Sequence, residues 1–126
     1  MYTIEAVDKL LDEVAQELPA ELFSQLNGGV ILLEECKYHP EGAGDLYILG
    51  EYRSQRQMGR CVCIFYGSLM RAFGWAPEEV LRRELRRLLL HELTHHLESL
   101  AGEWGLAVKD QAQLEEYKRT HQDLNE

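Results

Sequence analysis

The stretch PEEVLRRELRRLLLHELTHHLESLA, from Pro77 to Ala101, decides how this chain is read. Pro77 stands where a first helical position is expected, and Glu78 and Glu79 place negative charge in the first turn, where the helix dipole favours it. Gly102 follows as a C-terminal stop. Between these signals Leu89, Leu93, Leu97 and Leu100 fall on one stripe, and Glu84, Leu88, His91, His95 and Glu98 fall on the opposite one. A long helix is therefore predicted, with one face in a core and the other presenting histidines to a cleft.

The segment His91-Glu92-Leu93-Thr94-His95 carries the chemistry. Helical residues four apart differ by about 40° in azimuth and roughly 6 Å along the axis. Two imidazoles so placed can bind one metal ion through nitrogens at about 2.0–2.1 Å. Glu92, on the flank of that stripe, can hold a water on the metal without ligating it, which is the H-E-x-x-H arrangement of zinc peptidases. A zinc ion bound by neutral imidazoles and one carboxylate lowers the pKa of its water towards ~7, and a glutamate beside it can take the proton and pass it to a leaving amine. The expected set is thus one zinc per chain on His91 and His95, with Glu92 as general base.

A third protein ligand is needed. Glu98, three residues beyond His95, is the first choice, because helical side chains lean towards the N-terminus. Glu103, past the Gly102 stop, and Asp110, from the next segment, are the alternatives. His96 points about 100–140° away from the zinc stripe and reads as a supporting or surface residue. His39 and His121, in a loop and a polar tail, read as solvent-exposed.

Outward from this helix the chain alternates short elements. Residues 3–18 form an amphipathic helix through Ile4, Val7, Leu10, Leu11, Val14 and Leu18, capped by Thr3 and stopped by Pro19. A short helical piece through Leu22, Phe23 and Leu26 precedes the turn Asn27-Gly28-Gly29. Strands are predicted at Val30–Glu35, Leu46–Tyr52 and Cys61–Tyr66, with a loop over Lys37–Asp45 and a polar connection over Arg53–Arg60. A short helix covers Ser68–Phe73, a last one residues 109–119, and a polar tail runs from about Thr120. The pattern is α+β: a small mixed sheet with an exposed edge, packed on a long active-site helix, with further helices at both ends of one domain spanning residues 1–126.

Composition narrows the function. A chain of 126 residues suits one domain with a modest core. A net charge of −9 repels phosphate backbones and argues against nucleic acid as a partner. The longest apolar runs, Val30–Leu33 and Leu88–Leu90, are far too short to span a bilayer, and no basic region with an apolar core leads the chain, so no membrane association and a cytoplasmic location are expected. Cys36, Cys61 and Cys63 are odd in number and read as reduced thiols, with Cys61 and Cys63 on one face of a strand; thiolate metal ligation is the rival reading. Arg82, Arg83, Arg86 and Arg87 read as a solvated face neutralised in part by Glu78 and Glu79 at i,i+4 spacing. Tyr47, Tyr52 and Tyr66 are placed to line the cleft, as packing residues or as donors to an oxyanion.

With these residues in place the chain resembles the small bacterial zincin-like metallopeptidases, or minimal zincins, over roughly residues 4 to 103. The likeness rests on the leading helix ending in Leu18-Pro19, Gly50-Glu51-Tyr52, Ile64-Phe65-Tyr66-Gly67, Leu69-Met70-Arg71-Ala72-Phe73-Gly74 and His91-Glu92-Leu93-Thr94-His95-His96. It implies a compact α+β fold, zinc on His91 and His95, and Glu92 as catalytic acid/base. The family pattern often continues with a glycine and then an aspartate ligand, positions that hold Glu98 and Ala101 here. It further implies a peptide or protein substrate bound as an added strand along a sheet edge. The alternatives are a weakly active or inactive zincin-like metal-binding interaction module, and a zinc hydrolase of another substrate such as RNA, which the acidic balance disfavours.

Overall fold

Helix α1 (Ile4–Glu17) forms because Thr3 caps it, accepting the Ala6 amide at 3.1 Å, and because its apolar residues share one face. Val7, Leu10, Leu11 and Val14 are all buried. A 3-10 turn (Ala20–Phe23) follows Pro19 and drops Leu22 into the core. This computed structural model describes residues 1–42, 46–55 and 59–104, and the side chains of Glu103 and Trp104 are not among what it describes.

Five strands come next: β1 (Gly29–Leu33), β2 (Lys37–Tyr38), β3 (Tyr47–Ile48), β4 (Gly50–Gln55) and β5 (Gly59–Phe65). β5 lies in the middle of a three-stranded sheet of order β1-β5-β4, parallel to β1 and antiparallel to β4, while β2 and β3 pair separately. In the register Tyr52 stands opposite Val62 and Gly50 opposite Ile64. Val62 and Ile64 are wholly buried on the face that meets the helices. Gly50 is required by close approach: a Cβ there would sit 2.9 Å from the Cys63 carbonyl oxygen and against Leu88. Gly59, at φ +80, opens β5 where a Cβ would strike the Asn27 side chain, whose Oδ1 accepts the Arg60 amide at 2.8 Å.

Helix α2 (Tyr66–Phe73) leads to α3 (Glu78–Trp104), which packs on α1 and on β4 and β5. Leu81, Leu85, Leu88, Leu89, Leu90, Leu93, Leu97 and Leu100 are all buried, so the middle of α3 is covered on most of its circumference. The architecture is α+β, a small mixed sheet with the long helix against it.

Five sequence expectations need correction. The Lys37–Asp45 loop is bounded by a short hairpin, since Lys37 and Tyr38 pair with Ile48 and Tyr47. The strand expected over Leu46–Tyr52 is split at Leu49, where the chain leaves the small sheet for the large one, and β4 and β5 extend into the stretch expected to be a plain connection. Pro77 precedes α3, its carbonyl accepting the Val80 and Leu81 amides at 3.0 Å. Gly102 does not stop the helix, which continues through it, and nothing lies within 4 Å of where its Cβ would be. The expected helix over 109–119 and the tail from Thr120 lie outside the described residues.

The arginines of α3 also find other partners than expected. Arg82 bonds Glu13 and Arg86 bonds Glu17 at 2.5 Å, both across to α1, and Arg87 pairs with Glu84 at 2.7 Å. These pairs remain partly exposed to water and contribute little individually.

Leu89 is wholly buried whereas His91 is exposed, two residues later on the same helix. Leu89→Ala is expected to lower the unfolding free energy by about 2–5 kcal/mol, and His91→Ala in metal-free protein to change it by no more than about 0.5 kcal/mol. Urea denaturation checks this, and equal losses would contradict the rotation assigned to α3.

Candidate functional site

Burial of Leu85, Leu89, Leu93 and Leu97 fixes the azimuth of α3. His91 and His95 consequently emerge exposed, while Glu92 is left only 5 % exposed. The two imidazoles meet edge to face with ring centres 4.9 Å apart. At that spacing each can turn a nitrogen to one small cation bound at about 2.0–2.1 Å. Two of the donors expected from the sequence are thus brought together on the open side of the helix.

The third donor is not. Glu98 is exposed one turn beyond His95. Among the described residues no three His, Cys, Asp or Glu side chains gather closely enough to hold a metal ion. Because the helix continues, the Glu103 backbone lies about 12 Å past His95 along the axis rather than on a segment that folds back. Its side chain, and all of Asp110, lie outside the described residues.

Glu92 is buried between the histidines and the sheet. Burial pushes its carboxyl above the ordinary carboxylate range, the charge of His95 pulls it back, Glu51 pushes it up further, and the backbone N–H of Tyr52 holds it down. Tyr52 lies on β4, the strand whose outer edge is unpaired within its sheet. A carboxylate beside a pair of imidazoles is placed to accept a proton and give it back.

His96 is wholly buried, which the sequence reading left open between a supporting and a surface role. Its Nε2 lies 2.6 Å from the Ser24 carbonyl oxygen and its Nδ1 2.9 Å from the Tyr52 hydroxyl. Burial pushes the imidazole below its usual range, the Ser24 carbonyl raises it, and Arg60 adds a further lowering. The signal was present in the spacing: Glu92 and His96 follow Leu89 by three and seven residues, and so lie on its stripe.

The other candidates are engaged elsewhere. The Tyr66 hydroxyl donates to the Tyr2 carbonyl and the Tyr52 hydroxyl is held by His96, so both are engaged within the fold, while the Tyr47 ring packs tilted against Tyr38 with centres 5.2 Å apart. Cys36, Cys61 and Cys63 are free thiols; Cys61 and Cys63 sit 3.8 Å apart on one face of β5, and burial pushes the Cys63 thiol up to about 11. His39 is half-buried rather than fully exposed, its Nδ1 accepting the Glu41 amide, and His121 lies outside the described residues. Among the described residues no helix is long and apolar enough to cross a membrane.

No family model and no curated protein matches the chain. A solved structure does: a conserved hypothetical protein from Thermus thermophilus, 33% identical in sequence, superposes with a TM-score of 0.70 over 79% of this chain and 98% of its own.

The electrostatics of Glu92 give a signed expectation for metal-free protein. Its folded pKa lies above its unfolded one, so the stabilising protonated form is fully present below the unfolded value and lost as pH rises through the folded value. Glu92→Gln should therefore melt higher than wild type at about pH 8, with the gap closing towards about pH 4. Thermal melts across that range check it, and a difference independent of pH would contradict it.

Proposed function

The chain belongs to the same family as the conserved hypothetical protein of Thermus thermophilus, and from the site on α3 alone we propose that it is a zinc-dependent peptidase. The observation that carries this reading is a buried glutamate set between two exposed histidines one helical turn apart, with imidazole centres 4.9 Å from each other. His91 and His95 would hold the ion, and Glu98, exposed on the next turn, is the donor able to swing towards it. When bound, zinc supplies a polarised scissile carbonyl and a water made nucleophilic at neutral pH.

The chain's own residues do the rest. Glu92 would accept the water's proton on its carboxylate and return it to the leaving amine. The outer edge of β4 runs past Glu92 and offers backbone groups on which an extended peptide can lie as an added strand. Backbone pairing demands little sequence information, so the substrate class is extended peptide segments. Three free cysteines suit a reducing cytoplasm. The net charge of −9 keeps nucleic acid an unfavourable partner.

A second reading, a zincin-like module that binds metal without cleaving, is favoured by one observation: Glu98 is not gathered beside the histidines. Elemental analysis and a peptide library separate the two. Zinc should be near one per chain in wild type and in Glu92→Gln, and fall in His91→Ala. Hydrolysis should be abolished by chelation and reduced about 10²–10⁴-fold in Glu92→Gln. Zinc-loaded wild type that cleaves nothing would establish the module, and a folded chain without zinc affinity would overturn both. Glu98→Ala should weaken zinc binding more than Glu103→Ala; the reverse order passes the third-ligand role to Glu103.

A further inference from the structure

Tyr52 reaches α3 at two points. Its backbone N–H tempers the rise that burial imposes on the Glu92 carboxyl, and its hydroxyl lies 2.9 Å from Nδ1 of His96, one turn further along the helix. The rings of Tyr52 and His96 are 5.3 Å apart. On its far side His96 Nε2 is 2.6 Å from the carbonyl oxygen of Ser24, the residue that closes the 3-10 turn. A carbonyl can only accept, so Nε2 carries the proton, Nδ1 presents a lone pair, and the Tyr52 hydroxyl donates to it. The chain Tyr52–His96–Ser24 thus joins β4, α3 and the turn after α1 through two directional bonds.

A leucine at position 96 would fill a buried site on this stripe without the cost of desolvating an imidazole. What the histidine adds is direction. Leucines can slide along a sheet by fractions of an ångström at little cost, whereas a hydrogen bond weakens steeply with misalignment. Slippage of β4 along α3 would carry the Tyr52 amide away from Glu92. It would also shift the strand edge on which a peptide is proposed to lie.

We infer that Tyr52 and His96 are positioning residues, a clamp that sets the β4 edge against Glu92 and so aims the base at a carbonyl bound along that edge. This rests on the reading of Glu92 as general base, although the clamp itself can be tested without activity. Tyr52→Phe removes only the hydroxyl and keeps the amide. His96→Asn keeps an acceptor near Nδ1, and His96→Leu keeps neither bond.

Hydrogen exchange on the full chain reads the clamp directly. The amide of residue 52 should exchange about tenfold faster or more in Tyr52→Phe and His96→Leu, and less so in His96→Asn, while the β5 amides keep their protection. In the zinc-loaded enzyme the same variants should lose about tenfold or more in kcat, with KM and zinc content within about twofold of wild type. An unchanged amide 52 in folded Tyr52→Phe overturns the clamp whatever the activity, and Tyr52→Phe decides alone if His96→Leu does not fold. A faster amide with unchanged kcat overturns the positioning role. If wild type cleaves nothing, the peptidase reading fails and the exchange result still decides whether the clamp exists.

Discussion

The rotation of α3 about its own axis is the constraint on which the rest of this molecule depends. An error of one residue, about 100°, would turn the histidines into the core and a leucine stripe into solvent. Burial of Leu81, Leu85, Leu89, Leu93 and Leu97 forbids it. Each such side chain stabilises the fold by about 1.5–3 kcal/mol on burial, so together they outweigh any competing preference of the polar residues between them. The exposure of His91 and His95 is a consequence of what the leucines do.

The same rotation places two ionisable groups inside. Glu92 and His96 lie on the buried side, and each meets a different part of Tyr52. Burying them has a desolvation cost, visible in the upward displacement of the Glu92 carboxyl and the downward displacement of the His96 imidazole. His96 offsets its share with two hydrogen bonds. Glu92 is offset less fully, by the nearby charge of His95 and by one amide, and its carboxyl stays raised. Structure and chemistry meet at that imbalance.

Much of this was legible in the residues. Leucine spacing gave α3 its core face, Thr3 and Pro19 bounded α1, and the strand expected over Cys61–Tyr66 overlaps β5. Other features escaped for physical reasons. Lys37 and Tyr38 are flanked by turn residues, and their pairing with β3 is a tertiary choice that no local pattern marks. Leu49 looks like any strand residue, yet there the chain passes from one sheet to the other. Gly102 carries the chemistry of a stop, yet a single glycine costs a helix only about 1 kcal/mol and the helix runs through it. The histidine pair could be read from spacing, whereas the partners of His96 are separated from it by 44 and 72 residues and required the fold.

Leucine burial turns His91 and His95 outward as a pair with ring centres 4.9 Å apart. X-ray absorption at the zinc edge, on protein reconstituted with one equivalent, tests this most directly. The account predicts two imidazole nitrogens at about 2.0–2.1 Å with oxygen donors completing the shell and no sulfur. Sulfur scattering at about 2.3 Å would place the metal on Cys61 and Cys63 instead, and a shell with fewer than two imidazoles would contradict the pairing.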